Sequence, residues 1–191
     1  MTWLAVERPG YLVAVTGQPL GAVVILGLPG VGKTTLAKGL VQRCGARLVS
    51  RDEIRLAMFG PCSATDGEKQ AAFAALIDAV TTNCALGHLS IVEGMPFSRY
   101  GEYEAVAAAA AAQGHVALPV LLKADPAVAS QRIAAQRPSA HAVPHDRDPA
   151  LPYTVDGRFR EPPHSTLQLD ARRDREELVN AVAERVAAAR R

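Results

Sequence analysis

Ala22-Val23-Val24-Ile25-Leu26-Gly27-Leu28-Pro29-Gly30-Val31-Gly32-Lys33-Thr34-Thr35 is the stretch that decides how this 191-residue chain folds. Its first five residues form an unbroken, largely β-branched apolar run, which reads as a strand buried in a parallel sheet. The positions that follow the stretch, Leu36, Ala37, Leu40 and Val41, have the apolar spacing of a helix. Between strand and helix lies the pattern Gly-x-x-x-x-Gly-Lys-Thr. Gly27, Gly30 and Gly32, with Pro29 and Val31 among them, allow the backbone to turn several N–H groups inward around an anion, and the helix behind adds its positive end. Lys33 is spaced to reach β- and γ-phosphates, the Thr34 hydroxyl to ligate Mg2+, and Thr35 to approach the α-phosphate. A strand before the pattern and a helix after it mark a nucleoside triphosphate site rather than a chance glycine turn.

Working outward, strands and helices alternate. Strands are expected at 47–50, 89–93, 116–123 and 166–169, and helices at about 52–59, 68–86, 99–113, 126–137 and 174–190. Gly60-Pro61 breaks the first pair of helices, Asp125-Pro126 supplies an N-cap and a first-turn proline, and Asp174 with Glu177 has the spacing of a capping box. The alternation predicts an α/β fold with a parallel sheet, and the length predicts one domain over 1–191. Residues 1–20 form an N-terminal extension with a candidate edge strand at Tyr11 to Val15. Residues 138–165 read as a proline-rich loop, so that about 126–165 forms a lid of helix and loop.

Composition excludes several classes. The charges are 21 Lys and Arg against 19 Asp and Glu, a net +2, too balanced for bulk electrostatic attachment to nucleic acid. Seventeen of the positive residues are arginine and four lysine, a skew expected of a high-GC genome. Cys44, Cys62 and Cys84 have neither disulfide-framework nor zinc-site spacing, which predicts reduced thiols and a cytoplasmic setting. No apolar run approaches the length of a membrane span. His141, His145 and His164 lack metal-ligand spacing and read as surface residues.

A phosphate loop defines a donor, and other residues must serve the acceptor. Asp52 lies just past the second strand, at the sheet edge where ligands bind, and is positioned to orient a hydroxyl and take its proton. Arg55, one turn along, is placed to bind a polar or anionic part of the acceptor. Ser50 and Glu53 also have capping-box spacing, which would make Asp52 a favourable first-turn acid, and the two readings are compatible. Glu93 ends the third strand, where an acid holds either a Mg2+-bound water or an acceptor hydroxyl, and Arg99 is a candidate anion contact. Arg132 and Arg137 are candidate lid arginines that neutralise charge on the transferring group, with Arg147, Arg158 and Arg160 as weaker ones.

With these motifs in hand, residues 22–190 resemble the small phosphate-loop kinases that include polynucleotide 5′-hydroxyl kinase domains, zeta-toxin-type kinases and antibiotic O-phosphotransferases. The resemblance rests on the phosphate loop, on Arg51-Asp52-Glu53-Ile54-Arg55, on Ile91-Val92-Glu93-Gly94 and on Ser130-Gln131-Arg132 to Arg137. It implies a three-layer phosphate-loop NTPase fold with an open five-stranded sheet of order 2-3-1-4-5. It also implies ATP or GTP as donor, Mg2+ as cofactor, Lys33 and Thr34 at the triphosphate and metal, and Asp52 as acceptor base. Arg55 and Glu93 would bind acceptor, and Arg132 and Arg137 would act from the lid. The expected reaction is γ-phosphoryl transfer to a hydroxyl of a small molecule, such as a nucleoside-like or sugar-containing metabolite or an antibiotic, hence a link to antibiotic resistance. Polynucleotide 5′-ends are the second-ranked acceptor, because polynucleotide kinases more often carry Asp where this chain has Glu93. A nucleotide-dependent switch or nucleic-acid-binding module is the reading from another class.

Overall fold

The computed structural model describes residues 17–60, 63, 65–135 and 148–190. The expectations for Tyr11 to Val15, Cys62, Arg137, His141, His145 and Arg147 lie outside these residues. Strand β1 (Leu20–Leu26) leads through the phosphate loop into α1 (Lys33–Cys44), and β2 (Arg47–Ser50) runs into α2 (Arg51–Phe59). Then come α3 (Asp66–Ala85), β3 (Ser90–Glu93), α4 (Glu102–Ala111), β4 (Val116–Lys123) and α5 (Pro126–Ala135). Helix α6 (Leu151–Asp156), β5 (Leu167–Asp170) and α7 (Arg175–Ala189) complete the order. The strands form one sheet of order β2-β3-β1-β4-β5 in which every pairing is parallel.

Strand β1 is buried along its whole length, and its side chains divide between two cores with the two-residue period of a strand. Val23 and Ile25 join Leu36 and Leu40 of α1 and Val179 and Val182 of α7 on one face. Ala22, Val24 and Leu26 join Leu76 and Val80 of α3 and Val106 of α4 on the other. The three layers follow from this division. Gly39 lets α1 and α7 approach closely, since a Cβ there would lie 2.6 Å from Val179 Cγ2. Asn83, buried on α3, accepts from Arg47 of β2 at 3.2 Å and donates to Ser90 of β3 at 3.0 Å, so one amide ties a helix to two strands.

Several expected boundaries shift for local reasons. Helix α3 starts at Asp66, because Thr65 caps it by accepting from Glu68 N at 3.2 Å. Helix α4 starts only at Glu102, after left-handed Gly101, whose N–H donates to Glu104 Oε2 at 2.9 Å. The capping box expected at α7 is half built: Asp174 accepts from Glu176 N at 2.7 Å, but Glu177 accepts from Arg173 Nε instead. Within 138–165, read as loop from its prolines, the structure contains α6, where Pro152 sits in the first turn and needs no N–H partner. Asp125 does cap α5, accepting from Ala127 N at 2.7 Å. Cys44 and Cys84 are free thiols, and no described helix is long and apolar enough to cross a membrane.

Candidate active site

The site lies at the carboxyl ends of β1, β2 and β3. Gly27, Gly30 and Gly32 have φ of 140°, 82° and 103°, a region that side-chain-bearing residues avoid. Two of them also face backbone too close to admit a Cβ: Leu122 O lies 2.6 Å from where it would stand on Gly27, and Ala129 O 2.6 Å from that on Gly30. The loop therefore owes its shape both to conformational freedom and to the neighbours pressed against it. Helix α1 begins at left-handed Gly32 with no side-chain cap and no acid in its first turn, whereas α2, α3, α4 and α7 each carry acids there. Its positive end is thus left for an anion from outside. Lys33 curls back over the loop, and Nζ donates to Gly27 O at 3.0 Å and Leu28 O at 2.9 Å.

Thr34 Oγ1 donates to Glu93 Oε2 at 2.7 Å. Glu93 is 2% exposed, and the parallel register sets it beside Ser50. A hydroxyl and a carboxylate brought together at a phosphate loop are hard oxygen donors of the kind Mg2+ takes, with waters and phosphate oxygens filling its octahedron. The residues present fit that ion. Among the described residues no group of three or more His, Cys, Asp or Glu forms a separate metal cluster.

Asp52 stands in the first turn of α2 with its side chain 42% exposed. Arg51 Nη2 donates to its Oδ1 at 2.8 Å, and Arg55 Nη2 lies 3.7 Å from the same oxygen. Ser50 Oγ accepts from Glu53 N at 3.4 Å, so capping and presentation of Asp52 coexist. Gly94 makes this assembly possible: with φ 90°, it would drive a Cβ to 2.7 Å from Arg51 N and 2.8 Å from Asp52 N. The end of β3 can press against the start of α2 only because that atom is missing.

Two of the candidate arginines are engaged within the protein itself. Arg55, expected to bind acceptor, is fully buried with its guanidinium turned to Asp52. Arg132, expected at the transferring group, donates to Val31 O at 3.2 Å and Ala171 O at 3.0 Å. It staples α5 to the phosphate loop and to the turn after β5, because two carbonyls lie within its fork. Arg99 is exposed, and its backbone is tied to Glu102: its N–H donates to Glu102 Oε2 at 3.0 Å and its carbonyl accepts from Glu102 N at 3.4 Å. The grip of Arg51 on Asp52 has no sequence signal, since adjacency alone does not fix where a guanidinium turns.

A parallel sheet of this order with an open phosphate loop after its first strand is the fold of the P-loop kinases. The chain belongs to the family described as an AAA domain, whose model matches residues 23–149. Among solved structures it is similar to a gluconokinase from Sinorhizobium meliloti 1021, at 17% identity over 91% of this chain and 95% of that one, with a TM-score of 0.65. It is similar to the Mycobacterium tuberculosis APS kinase CysC in complex with AMPPNP and APS, at 15% identity over 90% and 98%, with a TM-score of 0.68. It is also similar to Chaetomium thermophilum Kti12 in complex with ADP-AlF3, at 18% identity over 89% and 99%, with a TM-score of 0.63. Among curated proteins none matches the chain in sequence.

Proposed function

We propose that this protein transfers the γ-phosphoryl group of ATP or GTP, with Mg2+, to a hydroxyl of a small molecule, a nucleoside-like or sugar-containing metabolite or an antibiotic. The observation that carries this reading is the 2.7 Å contact of Thr34 with Glu93, which joins the two oxygen donors a phosphate-bound Mg2+ needs at the lip of an uncapped helix. When bound, the ion would draw charge from the phosphate oxygens as the bond to the leaving oxygen lengthens. Lys33 would exchange its carbonyl partners for β- and γ-oxygens. Asp52, held by Arg51 and Arg55 and partly exposed, would align the acceptor hydroxyl and take its proton as that oxygen bonds to phosphorus. The gluconokinase and APS kinase among the similar structures are consistent with an alcohol as acceptor.

The experiment is a transfer assay with γ-labelled ATP and GTP against nucleosides, sugars, sugar acids, antibiotics and short oligonucleotides. Label appearing on a small hydroxyl compound is the expected result. Transfer to oligonucleotide 5′-ends alone would move the assignment to a polynucleotide kinase. No transfer to any acceptor, together with nucleotide-dependent binding of a macromolecular partner, would replace the enzyme with a switch.

A further inference from the structure

With Arg132 engaged by backbone carbonyls, the other arginines near the carboxyl end of the sheet become relevant. The segment Arg158-Phe159-Arg160 follows α6. Phe159 packs against both hydrophobic cores, which occupy opposite faces of the sheet, so it must lie across one end of the sheet. The end is the carboxyl one, because Arg160 N donates to Ser98 O at 3.0 Å, in the loop leaving β3. That same loop holds the phosphate loop: Pro96 O accepts from Gly27 N at 3.2 Å. Pro96, which holds the phosphate loop, and Ser98, which holds Arg160, are two positions apart, at most about 7 Å of chain.

Phe97, between these two anchors, is buried in the left-handed region at φ 52°, an unfavourable conformation for a bulky residue that persists where the surroundings over-determine it. The loop shape that links Gly27 to Arg160 is thus held against local preference. The Arg160 guanidinium rests 5.3 Å above the ring of Tyr100, itself 74% exposed, and no carboxylate among the described residues pairs with it. An exposed cation–π contact is a weak hold compared with charge-assisted bonds to a phosphate.

We propose that Arg160 is a donor-site residue: when nucleotide binds, its guanidinium leaves the Tyr100 ring and pairs with oxygens of the terminal phosphate, the task the sequence suggests for Arg132. This rests on the triphosphate-site reading above. The test is calorimetric titration of the whole chain, with Mg2+, by ADP, AMPPNP, GDP and GMPPNP. For Arg160→Gln, the preference for the triphosphate analogue over the diphosphate should fall about tenfold, the loss of one charge-assisted contact, with diphosphate affinity nearly unchanged. Arg160→Lys should restore part of it, and Tyr100→Leu, which removes only the resting partner of the guanidinium, should not lower it. An Arg160→Gln protein with the wild-type preference, or one that loses di- and triphosphate affinity alike, overturns the assignment while leaving the donor site standing. Failure of the wild-type chain to bind any of the four nucleotides would instead remove the donor site itself.

Discussion

The contact of Thr34 Oγ1 with Glu93 Oε2, at 2.7 Å, joins residues 59 positions apart and turns two unremarkable side chains into a candidate cation site. If that is its use, Glu93→Gln should raise the Mg2+ concentration needed for half-maximal transfer by about tenfold, the scale of one weakened ligand. A Mg2+ titration of initial rates reads this directly, and an unchanged midpoint would count against the site. Lys33→Ala removes both the bonds to Gly27 O and Leu28 O and the charge for the phosphates. Transfer should become undetectable while the circular dichroism spectrum stays that of the wild type. Asp52→Asn keeps the shape of the side chain and loses its charge; kcat should drop by about 10²–10⁴-fold, the usual worth of a positioned base. Nucleotide affinity should be unchanged, and a kcat within a few-fold of wild type would reduce Asp52 to a helix-start acid. Lys33, Thr34, Asp52 and Glu93 are all readable from sequence as candidates, because their types and spacing reflect chemistry common to phosphate loops. The partners of Arg51, Arg55 and Arg132 are not, because a guanidinium on a long flexible stem takes whichever acceptor the fold brings near.

Elements meet here through missing atoms as much as through contacts. Gly94→Ala would push a methyl to 2.7 Å from Arg51 N and force φ 90° on an alanine, so the end of β3 and the start of α2 must part. The expected loss is about 1–3 kcal/mol in urea unfolding, together with lower transfer because Asp52 moves with α2. Gly39→Ala makes the contrast: it crowds Val179 between α1 and α7, away from Asp52, and should cost stability with less effect on catalysis. The strand and helix order was legible, since buried parallel strands and amphipathic helices announce themselves by apolar run and period. Helix α6 was not. Its six residues follow a proline-rich stretch, and with Pro152 in the first turn the composition resembles that of a loop.

At the scale of the whole molecule, the carboxyl edge of one sheet gathers the candidate groups, and the two cores hold that edge in shape from both faces. One charge pair at the same edge, Asp170 with Arg172, bears on stability. Hydrogen bonds from the Arg172 side chain, then from its backbone, hold the Asp170 carboxyl down to about 2 from 3.8, at the end of β5. Because the folded state lowers this value, the contribution is present above the unfolded value and is lost as pH falls through about 2. Both side chains of this pair are substantially exposed, so salt should weaken the effect. Asp170→Asn should therefore flatten the fall in melting temperature between about pH 4 and pH 2, a difference that shrinks in high salt. A wild-type slope retained in the variant would show that other carboxylates govern acid unfolding.

What sequence by itself determined was the candidate donor half of this protein: the strand, phosphate loop and helix between Ala22 and Val41 are contiguous, and short-range sterics and periodicity suffice to specify them. The proposed acceptor half was decided by tertiary structure, which set Glu93 on Thr34, closed Arg51 and Arg55 on Asp52, engaged Arg132 with carbonyls and carried Arg160 to Tyr100. Those partners lie on different elements, and their meeting depends on strand register, on the closeness that Gly94 permits and on where Phe159 can bury its ring.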